Sequence, residues 1–211
     1  MKFKAVFYDL DGTIIDSIAL HREAWNFAAN QFGINLKPRT LIELKGTEGN
    51  EVARLIMREY GLSNKKNEEK ILKIKRDYLA KNYDQAKIFQ GFFETVEELQ
   101  KMGLIISICT TMTERFVKMI AQLKSFENNI VWREMYDFAK PAAEPLLVTA
   151  AKAQIIPSDC AYVGDTYNDY LSAKAAGMEF FYFNPLGSEF DPRLRGVNNI
   201  LRQHADILKC V

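Results

Sequence analysis

Carboxylate side chains lie at the ends of two short apolar segments of this sequence. Asp9 and Asp11 lie at the end of the apolar segment 4–10, and Asp165 follows the apolar segment 161–163. Carboxylates that converge on one point repel each other unless a cation neutralises them. A site with few protein ligands, all of them oxygens, suits Mg²⁺, which keeps several waters and bridges to phosphate. We therefore expect these three residues to form a magnesium site.

A hydroxyl group and an ammonium group complete the set of candidate residues. Thr110 follows the apolar segment 104–109, and Lys140 lies between this segment and the last carboxylate. These side chains, together with backbone N–H groups of the loop after Asp9, can hold the oxygens of a phosphoryl group. The combination therefore predicts phosphoryl chemistry next to a divalent cation.

The apolar segments that precede these residues are predicted to be strands of one parallel sheet. They are short and apolar, several are rich in β-branched or aromatic residues, and each runs into polar or turn-forming residues. Helical patterns alternate with them, as in an α/β sheet covered by helices on both faces. The predicted strands are 4–10, 104–109, 161–163 and 180–183, and the predicted helices are 93–101, 114–123, 144–153 and 168–176. Ligands of such sheets bind beyond the carboxyl ends of the strands, where the candidate residues lie.

Residues 16–87 interrupt this alternation and are predicted to form a helical insert. They contain no convincing strand, and apolar residues recur at helical spacing in residues 19–32 and 64–81. The second segment is rich in lysine, and we interpret its charged residues as the solvated face of a helix. The predicted buried stripe of that helix consists of Ile71, Leu72, Ile74 and Tyr78.

The composition is typical of a folded globular chain. The 211 residues include 28 Lys+Arg and 27 Asp+Glu, a formal net charge of +1, and 48% are hydrophobic. This balance argues against a disordered chain and against nucleic-acid binding driven by bulk charge. No apolar stretch has the length of a signal peptide or a membrane span, and Cys109, Cys160 and Cys210 form no CxxC pair. We therefore expect a cytoplasmic protein with free thiols, a monomer or small homo-oligomer, without nucleic-acid or membrane partners.

Four motifs resemble, in the same order, those of the haloacid dehalogenase (HAD) superfamily of aspartate-nucleophile phosphatases. The sequence DLDGT at residues 9–13 matches the first motif, in which the leading aspartate is the nucleophile and the second is the general acid/base. Thr110 matches the hydroxyl residue of the second motif, and Lys140 matches the lysine of the third. In the fourth motif, YVGDTYNDYLSAKAAGM, Asp165 matches the metal carboxylate and Asp169 the second acidic residue. Nearly the whole chain takes part in this resemblance.

The resemblance implies a fold and a reaction. The fold would be a Rossmann-like (HAD) parallel sheet with helices on both faces, formed by residues 1–15 and 88–211, with residues 16–87 as an inserted all-helical cap domain. The reaction would be Mg²⁺-dependent hydrolysis of a small phosphorylated metabolite through an aspartyl-phosphate intermediate. The cap places the chain near the subgroup that contains phosphoglycolate phosphatase and β-phosphoglucomutase.

The resemblance also implies a role for each candidate residue. Mg²⁺ would be bound by Asp9, Asp165 and the backbone carbonyl of Asp11. Phosphate would be bound by Lys140 and by the neighbouring residues Thr110 and Thr111, the second of them through its backbone N–H. The supporting residues would be Gly12, Thr13, Gly164 and Asp169. An alternative interpretation of Asp169 places it simply in the first turn of a helix, where a negative side chain is favourable.

Two other functions are alternatives. A sugar phosphomutase is suggested by His21 and Lys45, which resemble cap positions of β-phosphoglucomutases, with Arg54 as the candidate substitute for a missing cap arginine. Against it, Thr13 replaces the valine and Gly164 the glutamate that are usual in those mutases. The second alternative is a regulatory protein that binds metal and phosphate with little turnover, although the complete set of motif residues argues against it.

One segment has no assigned role. Residues 125–139 include Trp132, Arg133 and Tyr136, where proteins with these motifs tend to have a small segment containing glycine or aspartate.

Overall fold

The computed structural model describes residues 2–37, 40–41 and 44–211. Strand β1 (Ala5–Tyr8) is apolar and buried along its whole length. It pairs in parallel with β4 (Ile105–Cys109) on one side and with β6 (Cys160–Gly164) on the other. Because successive side chains of a strand point to opposite faces, an apolar strand of this kind requires cover on both faces of the sheet.

Six strands form the main sheet in the order β5-β4-β1-β6-β7-β8, and every pair is parallel. The remaining strands are β5 (Ile130–Val131), β7 (Glu179–Phe183) and β8 (Ile200–Leu201), and β5 and β8 form the two edges of the sheet. The chain leaves β1 toward β4 and later returns to the other side of β1 with β6, so the strand order reverses there. The carboxyl ends of the strands at such a reversal form the usual ligand-binding crevice of α/β sheets. The predicted parallel α/β sheet is therefore confirmed.

Helices cover both faces of this sheet. On one face, α6 (Glu144–Ala153) and α7 (Tyr167–Ala176) bury apolar side chains against Ala5 and Phe7. On the other face, the ring of Tyr8 packs edge-on against Phe92 of α4 (Phe92–Lys101) and against His204 of a 3₁₀ helix, His204–Lys209. Further 3₁₀ helices are Tyr83–Gln85, Ala121–Asn129, Arg133–Met135, Pro157–Asp159 and Pro192–Leu194.

The helix predicted at residues 114–123 is wrong in its extent. Helix α5 covers only Glu114–Val117, and a 3₁₀ helix follows at Ala121–Asn129. The buried residues Val117, Ile120, Leu123 and Phe126 recur at every third position. This spacing matches the three residues per turn of a 3₁₀ helix better than the 3.6 of an α-helix, which explains the early end of α5.

The chain divides into two compact units, Met1–Ile15 with Ile88–Val211, and Asp16–Lys87. The second unit contains α1 (Ile18–Asn30), α2 (Gly49–Glu59) and α3 (Lys65–Asn82). Its core includes Trp25, Val52, Ile56 and Ile71. Two short strands, β2 (Ile15–Asp16) and β3 (Lys87–Ile88), pair with each other where the chain passes from one unit to the other.

The buried stripe of α3 differs from the prediction. Its buried residues are Ile71, Leu72, Lys75 and Leu79, so one lysine assigned to the solvated face lies inside the second unit. Residues 71, 75 and 79 are four apart and therefore share one face of the helix.

The three cysteines are free, with Cys109 and Cys160 buried and Cys210 exposed. Within the described part of the chain, no helix is both long enough and apolar enough to cross a membrane.

Candidate active site

Three buried carboxylates converge at the carboxyl end of the sheet. Asp9 follows β1, and its backbone N–H donates to the carbonyl of Val163 at 2.9 Å. Asp165 follows β6, and Asp169 lies in the first turn of α7. One carboxylate oxygen from each of these aspartates lies within 4.8 Å of the others. The parallel register of β1 and β6 thus places residues that are 156 positions apart in the chain side by side.

Lys140 supplies the ammonium group at the centre of this cluster. Its Nζ lies 2.5 Å from Oδ1 of Asp9, 2.7 Å from Oδ1 of Asp169 and 2.8 Å from the hydroxyl of Tyr162. The side chain is only 4% exposed. Burial by itself lowers the pKa of Lys140, but the negative charges of Asp169 and Asp9 outweigh it and hold that pKa well above its usual value. The amine is therefore charged.

Asp169 accepts hydrogen bonds at both carboxylate oxygens. Oδ1 accepts from Lys140 and, at 3.0 Å, from the hydroxyl of Tyr162. Oδ2 accepts from the backbone N–H of Thr166 at 3.0 Å and from its hydroxyl at 2.5 Å, and the Thr166 hydroxyl in turn accepts from the Asp169 N–H. This reciprocal arrangement is a capping box at the start of α7. Asp169 therefore has two functions, since it caps the helix and pairs with Lys140.

The segment after Asp9 forms a tight turn that places Thr13 against the cluster. Gly12 has φ = 80°, a left-handed conformation that favours glycine, and its N–H donates to the carbonyl of Ile15. Thr13 is fully buried, and its hydroxyl donates to Oδ1 of Asp165 at 3.3 Å. Asp11 is partly exposed. Thr13 thus contacts the Asp165 carboxylate directly.

Thr110 lies at the end of β4 and is buried. Its hydroxyl oxygen accepts a hydrogen bond from the backbone N–H of Met112 at 3.0 Å. A hydroxyl group has one proton and two lone pairs, so this bond leaves the proton available for donation. Thr111, the next residue, is partly buried.

The electrostatics of the cluster favour a divalent cation. Burial raises the pKa of Asp9 well above its usual value, because the charges of Asp169 and Asp165 add to the effect of burial and Lys140 offsets it only in part. For Asp169, burial also raises the pKa, but the charge of Lys140 and the hydrogen bonds lower it overall. Three carboxylates around one ammonium thus leave negative charge that a cation would neutralise. Asp9 and Asp165 fit Mg²⁺ as oxygen donors, whereas both oxygens of Asp169 are engaged elsewhere.

The structure adds two tyrosines to the residues found from the sequence. Tyr162 contacts both Lys140 and Asp169, and Tyr136 donates to the backbone carbonyl of Thr110 at 2.9 Å. The sequence signal for Tyr162 was its position inside the fourth motif, two residues before Gly164. Tyr136 stood out only as part of the unusual segment 125–139, for which the sequence indicated no role.

The second unit contains the three candidate cap residues. Nδ1 of His21 lies 3.2 Å from Nζ of Lys75, whose amine lies 5.4 Å from the ring centroid of Trp25. The lysine that contacts His21 is therefore Lys75, which was not among the candidates. Lys45 is partly buried.

Arg54 is exposed and pairs with both carboxylate oxygens of Glu51 at 2.8 and 2.5 Å. This pair on one helix uses two of the five N–H donors of the guanidinium.

Two curated proteins illustrate the similarity of this chain to known sequences. Phosphoglycolate phosphatase 1 of Pseudomonas aeruginosa is 27% identical over 184 residues, which cover 83% of this chain and 67% of that protein. Pyrophosphatase PpaX of Oceanobacillus iheyensis is 21% identical over 183 residues, which cover 85% of this chain and 82% of that protein.

Solved structures share the fold. A hydrolase from Pseudomonas syringae superimposes with a TM-score of 0.86 at 24% identity, covering 98% of this chain and 96% of the other. The β-phosphoglucomutase of Clostridium difficile superimposes with a TM-score of 0.82 at 17% identity, covering 97% and 93%. The family described as haloacid dehalogenase-like hydrolase matches residues 6–183, which is most of the sequence. The chain therefore belongs to the haloacid dehalogenase-like hydrolase family, as its motifs predict.

Proposed function

We propose that this chain is a Mg²⁺-dependent phosphatase that hydrolyses a small phosphorylated metabolite through an aspartyl phosphate on Asp9. The observation that carries the proposal is the environment of Asp9. Its carboxylate lies 2.5 Å from the Lys140 ammonium and close to the Asp165 carboxylate, at the carboxyl end of the central strand. Phosphoryl transfer to a carboxylate requires a nucleophile, a positive charge and a second carboxylate that can bind a metal ion. Asp9, the buried ammonium of Lys140 and Asp165 supply these three groups.

Asp9 and Asp11 carry out the two chemical steps of the proposed reaction. An oxygen of Asp9 attacks phosphorus, and the bond between phosphorus and the leaving oxygen breaks while protonated Asp11 gives that oxygen its proton. In the second step, Asp11 accepts a proton from water, which attacks phosphorus and releases phosphate and the free Asp9 carboxylate. Partial exposure of Asp11 suits this role, because the group must exchange protons between turnovers.

The remaining residues bind and orient the phosphoryl group. The hydroxyl of Thr110 donates to a phosphoryl oxygen, with Thr111 contributing its backbone N–H, and Lys140 offsets the negative charge on the nucleophile and the phosphoryl group. Asp9, Asp165 and the backbone carbonyl of Asp11 would hold Mg²⁺. When bound, that ion neutralises charge and keeps the nucleophile ionised.

Residues 16–87 are proposed to act as the cap of the enzyme. A cap of this kind excludes water from the phosphoryl site and selects the leaving group. The name of the Pseudomonas aeruginosa relative suggests phosphoglycolate, and that of the Oceanobacillus iheyensis relative suggests pyrophosphate. Small phosphorylated metabolites of these two kinds are the first substrates to test.

A sugar phosphomutase is the second candidate, since His21 and Lys45 resemble cap positions of β-phosphoglucomutases. The contact between Thr13 and Asp165 favours the phosphatase, because the valine usual in the mutases has no hydroxyl to donate.

Turnover of an aryl phosphate and a panel of phosphometabolites, measured as phosphate release with Mg²⁺ and with chelator, tests the proposal. We expect Mg²⁺-dependent release that falls about a thousandfold or more in Asp9→Asn. The matched control, Asp84→Asn, removes an exposed carboxylate of the second unit and should leave the rate unchanged. Isomerisation of glucose 1-phosphate without net phosphate release would support the mutase. No turnover on any substrate would support a regulatory protein.

A further inference from the structure

Tyr136 connects the segment after β5 to the end of β4. It lies between Val131, the last residue of β5, and Lys140, in the segment for which the sequence indicated no role. Its side chain is 5% exposed, and its hydroxyl donates to the backbone carbonyl of Thr110 at 2.9 Å. Burial raises the pKa of Tyr136, so the phenol keeps its proton and acts as a donor.

The contact with Tyr136 completes the hydrogen bonding of the Thr110 backbone. The N–H of Thr110 donates to the carbonyl of Val131 at 2.9 Å, and its hydroxyl oxygen accepts from the N–H of Met112. Thr110 is 1% exposed, so its carbonyl needs a partner inside the protein. With the backbone and the hydroxyl oxygen held in this way, the direction of the hydroxyl proton is restricted.

Arg133 and Glu144 hold Tyr136 in place. The Arg133 guanidinium donates to the carbonyls of Tyr136 at 2.7 Å and Asp137 at 3.3 Å, and it lies 5.2 Å from the centroid of the Tyr136 ring. The Glu144 carboxylate accepts from the backbone N–H groups of Asp137 at 3.2 Å and Phe138 at 2.6 Å. The backbone of Tyr136 and of the next two residues is thus hydrogen-bonded, and Lys140 lies two residues after Phe138.

We propose that Tyr136, fixed by Arg133, is a positioning residue that aims the Thr110 hydroxyl at the phosphoryl group. The inference rests on the proposed function and gives a role to residues 132–139. Tyr136 does not touch the substrate in this scheme and acts only through Thr110.

Kinetics of the aryl phosphate reaction test this role through a double-mutant cycle. We expect Tyr136→Phe, which keeps the ring and the Arg133 contact, to lower kcat about tenfold and to change KM less than twofold. In a Thr110→Val background there is no hydroxyl to aim, so adding Tyr136→Phe should change kcat less than twofold. Tyr170→Phe, at a partly exposed tyrosine of the same unit, is the matched control and should have no effect.

Two results would overturn the inference. One is an unchanged kcat in Tyr136→Phe. The other is a decrease of kcat by Tyr136→Phe that is equally large in the unmodified chain and in Thr110→Val, which would indicate a general structural role. Arg133→Lys gives a second measurement, because an ammonium does not reproduce two parallel carbonyl contacts. We expect Arg133→Lys to lower kcat about threefold, and to have no effect on kcat in the Thr110→Val background.

Calorimetric binding of inorganic phosphate in the presence of Mg²⁺ separates this inference from the proposed function. If the unmodified chain hydrolyses no substrate, the proposed function fails. The inference then still predicts that Tyr136→Phe weakens phosphate binding severalfold and has no further effect in Thr110→Val. Equal affinities of the unmodified chain and Tyr136→Phe overturn it, and an unmodified chain that neither binds phosphate nor hydrolyses any substrate overturns both proposals.

Discussion

A β-carbon placed on Gly164 would lie 2.6 Å from Cβ and 2.7 Å from Cγ of Asp169. The end of β6 and the first turn of α7 are in close contact at this point, and only a residue without a side chain fits. Since Asp169 holds Lys140 and caps α7, the absence of a side chain at position 164 is part of the arrangement of the site. A glutamate, which is usual at this position in β-phosphoglucomutases, would require Asp169 to move.

Gly164→Ala should therefore lower both stability and activity. The added methyl group displaces Asp169 and weakens its contact with Lys140, with an expected loss of about 1–3 kcal/mol in the free energy of unfolding. We expect kcat for an aryl phosphate to fall about tenfold or more. Denaturant unfolding and steady-state kinetics measure the two effects. Gly196→Ala is the control, because no atom lies within 4 Å of its added carbon. Equal behaviour of the two variants would contradict the close contact.

Lys140→Met tests the buried charge cluster. Removing the ammonium leaves Asp169 and Asp9 without their cation, and loss of one partner of a buried ion pair costs about 3–5 kcal/mol. Because Lys140 and the other donors lower the pKa of Asp169, this stabilisation is present above the unfolded pKa and is lost as the pH falls. The difference in unfolding free energy between the unmodified chain and Lys140→Met should thus be largest near pH 7 and decrease at acidic pH.

Denaturant unfolding at a series of pH values measures this difference. Lys101→Met, which removes an exposed lysine paired with Glu97 and Glu98, is the control and should change stability little at any pH. A Lys140→Met variant as stable as the unmodified chain at pH 7 would show that the cluster is not charged as described.

Mg²⁺ should stabilise the folded chain through Asp165. A ligand that binds only the folded state at one hundred times its Kd adds about 2.7 kcal/mol of stability, which corresponds to roughly 5–10 °C in Tm for a chain of this size. We expect a shift of this order in thermal unfolding when chelator is replaced by Mg²⁺. Asp165→Asn should abolish the shift, whereas Asp84→Asn should keep it. A shift that survives in Asp165→Asn would place the ion elsewhere.

The residues that were predictable from the sequence share one property. Asp9, Thr110 and Asp165 each follow an apolar segment, so the parallel sheet that those segments require also determines that the side chains meet. Lys140 was identified by its order among the motifs, because it lies in a loop whose path depends on packing.

Other features depended on three-dimensional packing. The partner of a buried tyrosine hydroxyl depends on how the surrounding segments pack. This holds for Tyr162, which lies in an apolar strand, and for Tyr136, which lies in a charged segment. Lys75 was assigned to the surface because lysines rarely lie inside a helix packing face. The early end of α5 escaped prediction because spacings of three and of 3.6 residues differ little over two turns.

His204 should make the folded chain sensitive to acid. Its ring stacks on Phe183 with centroids 4.4 Å apart and packs against Phe92 and Tyr8. Burial among these rings lowers the pKa of His204 from 6.5 to about 4, although the nearby backbone of Thr13 raises it slightly. The unfolded chain binds this proton below about pH 6.5 and the folded chain does not, so stability falls between pH 6.5 and 4. At about 1.36 kcal/mol per pKa unit, the total loss is about 3 kcal/mol.

Replacing His204 with phenylalanine removes this titration and keeps an aromatic ring in the same place. Between pH 7 and pH 4.5, we expect the free energy of unfolding to decrease in both proteins. The decrease should be smaller in His204→Phe than in the unmodified chain, and the difference between the two decreases should be about 2–3 kcal/mol. Urea unfolding at both pH values measures the difference, and other groups that titrate in this range cancel because they are present in both proteins. If the free energy of unfolding depends on pH in the same way in both proteins, His204 is protonated as readily in the folded chain as in the unfolded chain. The aromatic surroundings would then not exclude the charged imidazolium.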